Sequence, residues 1–211
     1  SQEVGLALGD HALAADAIES LLRRKPGAVL GLATGSSPLP VYDELALRHE
    51  RDGLDFSQVR AFALDEYVGL AAGHPESYRE VIRREFTERV NIDPANVHGP
   101  DGLATDIPAA CRAFEDAIRG AGGVDLQLLG VGTDGHIGFN EPGSGAESRT
   151  RVRDGARRAG MASAFQPRAI MLQRPRPTST ARPCGRARST PSCSIWKQKE
   201  FSPATHTIRC A

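Results

Sequence analysis

Three short apolar runs, "AVLGLAT" (28–34), "VRAFALDEY" (59–67) and "VDLQLLGVG" (124–132), are separated by stretches of helical character. Each run has the length of a buried strand, and each ends in glycine, threonine or acid. Between them, Ala14, Ile18, Leu21 and Leu22 recur at helical spacing over residues 11–24, with Asp10 as N-cap and Pro26-Gly27 as stop. Ser37 is predicted to cap, and Pro38 to open, a helix reaching about residue 50. Residues 75–90 and 105–121 read as two more helices, the second opened by Thr105-Asp106 and closed by Gly120. Strands alternating with helices require right-handed βαβ crossovers. The expected fold is therefore α/β, an open and mostly parallel sheet with helices on both faces, in a Rossmann-like three-layer arrangement.

Charge divides the chain where the pattern ends. Residues 1–150 hold 13 Lys and Arg against 24 Asp and Glu, a net −11; residues 151–211 hold 13 against 2, a net +11. Cysteine follows the same division, with Cys111 in the first part and Cys184, Cys193 and Cys210 in the second. No CxxC pair occurs, which removes zinc-ribbon and thioredoxin-like readings. A disulfide-poor acidic domain fits a reducing compartment. No apolar stretch approaches membrane-spanning length, and the first twenty residues place no basic segment ahead of an apolar one. A cytoplasmic protein without a membrane partner is expected.

In a parallel open sheet, ligands bind beyond the carboxyl ends of the strands. The three runs bring Thr34-Gly35-Ser36-Ser37, Asp65-Glu66 and Gly132-Thr133-Asp134-Gly135-His136 to that edge. The first offers backbone N–H groups and hydroxyls at a helix start, which suits a phosphate, although a plain capped turn explains Ser and Pro equally well. It lacks the Gly-Lys-Ser/Thr core of a Walker A loop. In the second, adjacent acids on a strand point to opposite sides, so at most one faces a ligand directly. Such a carboxylate could abstract a proton from carbon; the plainer alternative is a surface turn or helix cap.

The third is the richest. "GVGTDG" matches GxGxxG after a strand, but Asp134 would repel a pyrophosphate, and Pro142 with further glycines opposes an immediate long helix. A metal site lacks ligands, since no HxH or HExxH accompanies His136. A proton relay fits better. Carboxylates flanking a histidine stabilise its imidazolium and fix its tautomer. A structural His–carboxylate pair pinning a glycine-rich loop stands beside that reading as its equal.

"ATGSSP", "LDEYVGL", "HPESY" and "GVGTDGHIGFNEPGSGAESRTRV" occur in this order, and together they resemble the glucosamine-6-phosphate deaminase (isomerase) family from near the first residue to about Val152. The resemblance implies conversion of glucosamine 6-phosphate and water into fructose 6-phosphate and ammonia, in amino-sugar catabolism, with no metal or organic cofactor. It implies that Asp65 is the base moving a proton between C2 and C1. His136 is then the ring-opening group, with Asp134 and Glu141 orienting it. Thr34, Gly35, Ser36 and Ser37 hold the 6-phosphate. The expected partner is a small-molecule sugar phosphate, with no nucleic acid, and a homo-oligomer is compatible with the sequence. The related 6-phosphogluconolactonases share a sugar-phosphate loop and a D-G-H element, and typically lack "DEYVGL" with "HPESY". A lactonase-type hydrolase, or a non-catalytic sugar-phosphate-binding regulator, is the alternative.

Residues 1–152 are thus expected to form an incomplete deaminase-like α/β domain, its C-terminal part missing or replaced. Residues 153–211 form a basic tail unlike the family, rich in Arg, Pro, Ser and Thr and without a strand or helix period. Out-of-frame translation of GC-rich DNA gives such a composition, and a frame change near residues 152–154 is the expectation. A basic arm for a polyanion is the alternative, although aromatics are not interleaved. On this reading one sheet edge is left exposed.

Overall fold

The computed structural model describes residues 2–130, 136, 138–140, 143, 149–154, 168–171, 194–197 and 206–210. The elements run α1 (Gln2–Arg24), β1 (Val29–Leu32), α2 (Leu39–Asp52), β2 (Arg60–Ala63), β3 (Asp65–Tyr67), α3 (Tyr78–Glu85), β4 (Val97–His98), α4 (Ile107–Gly120), β5 (Leu126–Gly130), β6 (Arg151–Asp154), β7 (Arg168–Met171), β8 (Ser194–Lys197) and β9 (His206–Cys210).

Six strands form the main sheet in the order β4-β2-β1-β5-β9-β8, all parallel neighbours except the antiparallel β8–β9 pair. Period-two alternation divides its core. Leu30, Leu32, Ala61, Ala63, Leu126 and Leu128 face one side, where Ile18 and Leu22 of α1, Val41, Tyr42 and Leu45 of α2, and Ile82 of α3 cover them. Val29 and Phe62 face the other side and meet Phe114 of α4. Helices therefore cover both faces, and the expected α/β layering is what the chain adopts.

Close approach sets one glycine in β1. A Cβ at Gly31 would overlap the side-chain amide of buried Gln127 on the neighbouring strand. At the start of β5, Asp125 accepts the Lys25 ammonium at 2.7 Å and the Val29 N–H at 2.8 Å, which locks β5 to the head of β1.

Several boundaries differ from the sequence expectation for local reasons. Helix α1 begins at Gln2, so Asp10 lies inside it. Pro38 occupies the N-cap position of α2 with no side-chain cap, and Ser37 does not cap that helix. Gly53, at φ 65°, ends it in the left-handed conformation, with its N–H on the Arg48 carbonyl. Helix α3 is shorter than 75–90 and is followed by a separate turn at Thr87–Arg89. Helix α4 matches its expectation, with the Asp106 carboxylate accepting the Ala109 N–H at 2.9 Å.

Two corrections bear on function. The run 59–67 is two strands: β2 stays in the main sheet, and Asp65–Tyr67 turns away to pair antiparallel with β7, which also pairs with β6. Beside β5 the sheet continues, because β9 pairs with it over Leu126–Gly130, and the main sheet ends at β4 and β8. Strands β7, β8 and β9 also lie in the stretch whose composition predicted no regular structure. Backbone pairing asks only for extended segments with available N–H and C=O groups, so it does not need the apolar period that a half-buried strand displays.

Candidate active site

The end of β1 is held from below. Tyr42, fully buried on α2 and stacked on Phe86 at 4.8 Å, donates its hydroxyl to the Ala33 carbonyl at 2.6 Å and accepts the Ala33 N–H at 3.1 Å. That double contact fixes the residue before the Thr34–Ser37 loop. Gly35 then turns at φ 100°, in the left-handed region that favours glycine. Thr34 and Ser37 are half-buried, while Gly35 and Ser36 are exposed. Ser37 lies close beside Gly130, at the carboxyl end of β5. The first and third strand ends therefore adjoin.

Asp65 opens β3 and is 4% exposed. Its charge is felt by two phenols. Burial, joined by Asp65, pushes the Tyr42 hydroxyl far above the usual tyrosine range. Burial first, then Asp65 and the contact with Tyr67, do the same to Tyr78, although a hydrogen bond with Thr34 opposes them. One phenol thus senses both the first strand end, in Thr34, and the second, in Asp65. The Tyr78 hydroxyl also lies 3.1 Å from that of Tyr67.

The same ring reaches the third strand end. Phe139, three residues beyond His136, stacks on Tyr78 with centroids 6.0 Å apart at 17° and meets Tyr67 edge-on at 5.6 Å. His136 is half-buried. Beyond it, the Asn140 Oδ1 accepts Arg151 Nη2 at 2.9 Å. Thr150 gives both its N–H and its hydroxyl to Glu115 of α4, at 2.8 and 2.7 Å. Asp134 and Glu141, expected to flank His136 chemically, lie outside the described residues. Among the described residues no group of three or more His, Cys, Asp and Glu gathers as metal ligands would.

The sequence leaves the Asp65-Glu66 pair as a surface turn or helix cap beside the ligand-facing reading; the structure buries Glu66 at 8% exposed and sets its carboxylate at the start of α3. Its carboxylate accepts four donors: the Tyr67 N–H at 2.8 Å, the Ser77 hydroxyl at 2.7 Å, and the Tyr78 and Arg79 N–H groups at 3.0 Å each. Asp65 and Glu66 point apart, as adjacent strand residues must. One adjoins the phenols, and the other caps α3 from a distance. Tyr67, Tyr78 and Phe139 were not singled out as site residues. The available signal was the "HPESY" stretch, whose Ser-Tyr pair meets Glu66 and Asp65.

The family model described as glucosamine-6-phosphate isomerases/6-phosphogluconolactonase matches residues 3–153. The chain belongs to this family. It is 81% identical over 142 residues to the glucosamine-6-phosphate deaminase of Arthrobacter sp. (strain FB24), which is 67% of this chain and 55% of that protein. To the glucosamine-6-phosphate deaminase of Mycolicibacterium smegmatis it is 67% identical over 141 residues, 67% of this chain and 54% of that one. The chain spans about half the length of the curated relatives it matches. Among solved structures, a monomeric glucosamine-6-phosphate deaminase superposes with a TM-score of 0.74 at 34% identity, over 79% of this chain and 73% of its own. The 6-phosphogluconolactonase of Thermotoga maritima does so with a TM-score of 0.62 at 26% identity, over 78% and 73%.

Proposed function

We propose that this chain carries the active site for converting glucosamine 6-phosphate and water into fructose 6-phosphate and ammonia. The observation that carries the reading is Tyr78, whose ring stacks on Phe139 of the His136 loop, whose hydroxyl lies 3.1 Å from that of Tyr67, and whose ionisation the buried Asp65 opposes. The deaminase identities, higher than those to the lactonase structure, support it.

On this reading the Thr34–Ser37 loop takes the 6-phosphate through backbone N–H groups and hydroxyls, holding the unreactive end so that C1 and C2 meet the acids. His136 exchanges a proton with the ring oxygen, and the aldehyde opens; Asp134 and Glu141 orient the imidazole. Asp65 takes the C2 proton and returns it to C1 through an enolamine, leaving an imine at C2. Water adds there and ammonia leaves. Burial of Asp65 keeps bulk water from competing for that proton. The residues need no metal or organic cofactor for these steps.

The test is direct. Incubation with glucosamine 6-phosphate should release ammonia and fructose 6-phosphate in equal amounts, and Asp65→Asn should abolish both. Hydrolysis of 6-phosphogluconolactone alone would move the assignment to the lactonase side of the family, whose structures share the fold. Binding without turnover would make the chain a sugar-phosphate-binding regulator.

The same reading carries a cytoplasmic setting, and the division into a deaminase-like domain over 1–152 and a basic segment over 153–211. Sequencing genomic DNA through codons 152–154 tests the frame change: a restored frame should recover sequence like the relatives'. A salt-sensitive affinity for DNA would favour a basic arm instead. Among the described residues, no helix is long and apolar enough to cross a membrane.

A further inference from the structure

We propose, on the basis of that reading, that Glu66 is a positioning residue for the active site, setting where Tyr78 stands against Tyr67 and against Phe139 of the His136 loop. The geometry has three parts. Glu66 and Asp65 are consecutive on β3, so any displacement of one moves the other. The Glu66 carboxylate takes the N–H groups of Tyr78 and Arg79, the first two residues of α3, together with the hydroxyl of the preceding Ser77. Those donors would otherwise face the start of a helix whose N-cap, Ser77, makes no cap bond of its own. Finally, Tyr78 projects from that first helical residue to Tyr67 and Phe139. The strand bearing the proposed base and the helix bearing the bridging phenol are thus joined at one carboxylate.

Its two oxygens divide the donors. Oε1 takes Tyr67 N–H and Tyr78 N–H; Oε2 takes the Ser77 hydroxyl and Arg79 N–H. Glu66→Gln preserves size but replaces one oxygen with an amide NH₂. The hydroxyl of Ser77 can rotate to accept from that group. The Arg79 N–H cannot, and two donors are left facing each other. The helix start must shift, and Tyr78 with it.

The experiment compares the full chain with Glu66→Gln, Ser77→Ala and Asp125→Asn. Asp125 is also a buried carboxylate tying elements together, but at the opposite end of the sheet. It controls for plain loss of stability. Per folded molecule, Glu66→Gln should lower kcat/KM for glucosamine 6-phosphate by roughly 10- to 100-fold, the scale of a small misplacement in a site. Ser77→Ala, which keeps the carboxylate and removes one donor, should fall between it and the parent. Asp125→Asn should leave kcat and KM unchanged while lowering the melting temperature.

A second readout needs no turnover. Absorbance titration at 295 nm should show one more phenol ionising near the ordinary tyrosine value of about 10 in Glu66→Gln than in the parent. That extra phenol should vanish in the Glu66→Gln/Tyr78→Phe double variant. If the parent releases no ammonia, the functional reading fails, while the titration still decides whether Glu66 places Tyr78. Overturning results are an unchanged phenol count in Glu66→Gln and Ser77→Ala, or unchanged kinetics in Glu66→Gln once corrected for folded fraction. Equal kinetic losses in Asp125→Asn would also overturn the proposal. If Glu66→Gln does not fold, Ser77→Ala carries both measurements.

Discussion

The Tyr42 hydroxyl closes on both backbone groups of Ala33, donating to the carbonyl at 2.6 Å and accepting the N–H at 3.1 Å. A side chain on a helix thereby completes the backbone pairing of a strand end at the point where the sheet stops and the loop begins. Tyr42→Phe removes both contacts and leaves two buried backbone groups unsatisfied. A loss of about 1–3 kcal/mol is expected, measured by urea unfolding. The Phe86 stack survives the change, so a larger loss would mean that packing, not hydrogen bonding, had been disturbed.

That phenol also fixes the alkaline limit of stability. Tyr42 and Tyr78 both have folded-state pKa values raised well above the ordinary tyrosine value, mainly by burial. A raised pKa contributes stability in full below the unfolded value and loses it as pH climbs toward the folded one. Stability should therefore hold up to about pH 9 and decline above about pH 10, where the unfolded phenols ionise. The decline should be shallower in Tyr42→Phe. Identical slopes in parent and variant, from denaturant midpoints at stepped pH, would contradict the assignment.

Gly31→Ala is expected to be costly although it adds one methyl. The new Cβ would overlap the Gln127 amide, which is buried and donates to the Leu128 carbonyl at 3.0 Å. Overpacking of this kind costs about 1–3 kcal/mol. Gln127→Ala in the same chain should recover most of it by emptying the space. A double variant no more stable than Gly31→Ala alone would show that the strand backbone, not the side chain, resists the substitution.

Deleting residues 204–211 removes β9 and with it the partner of β5 over five residue pairs. The β5 edge would then offer unpaired N–H and C=O groups to other chains. The expected outcome is a lower melting temperature with light scattering that rises during heating. An unchanged melt would mean that this pairing contributes nothing to stability.

What the sequence made legible was whatever repeats locally. The apolar runs of β1, β2 and β5, and the cap of α4 at Asp106, are visible because strand burial and helix capping are read from neighbours. The break after Ala63 was not, since "ALDEY" continues an extended pattern into a strand that belongs to another sheet. A helix cap is among the readings of Asp65-Glu66, but which acid caps and which helix it holds were not legible, because the Glu66 donors lie eleven to thirteen residues on, with no period linking them. The Tyr67, Tyr78 and Phe139 cluster escaped for the same reason: three rings from separate elements meet only after folding. Strands β7 to β9 were missed because each is only four or five residues long and lies in Arg-, Pro-, Ser- and Thr-rich text.

The proposed division of labour at the site predicts that two substitutions act on different kinetic constants. Asp65 is buried beside the phenols, so it can act on the reacting carbons but adds little to holding the phosphate. Asp65→Asn keeps the shape and removes the base; kcat should fall by about 100-fold or more with KM little changed. Ser36 is exposed on the loop, where its hydroxyl can serve the phosphate equally in ground state and transition state. Ser36→Ala should therefore raise KM several-fold and leave kcat near the parent value, the signature of uniform binding. Initial-rate kinetics of ammonia release on both variants give the answer. A kcat effect from Ser36→Ala equal to that of Asp65→Asn would mean that the loop takes part in the chemical step itself, and the assignment of the loop to anchoring alone would have to be abandoned.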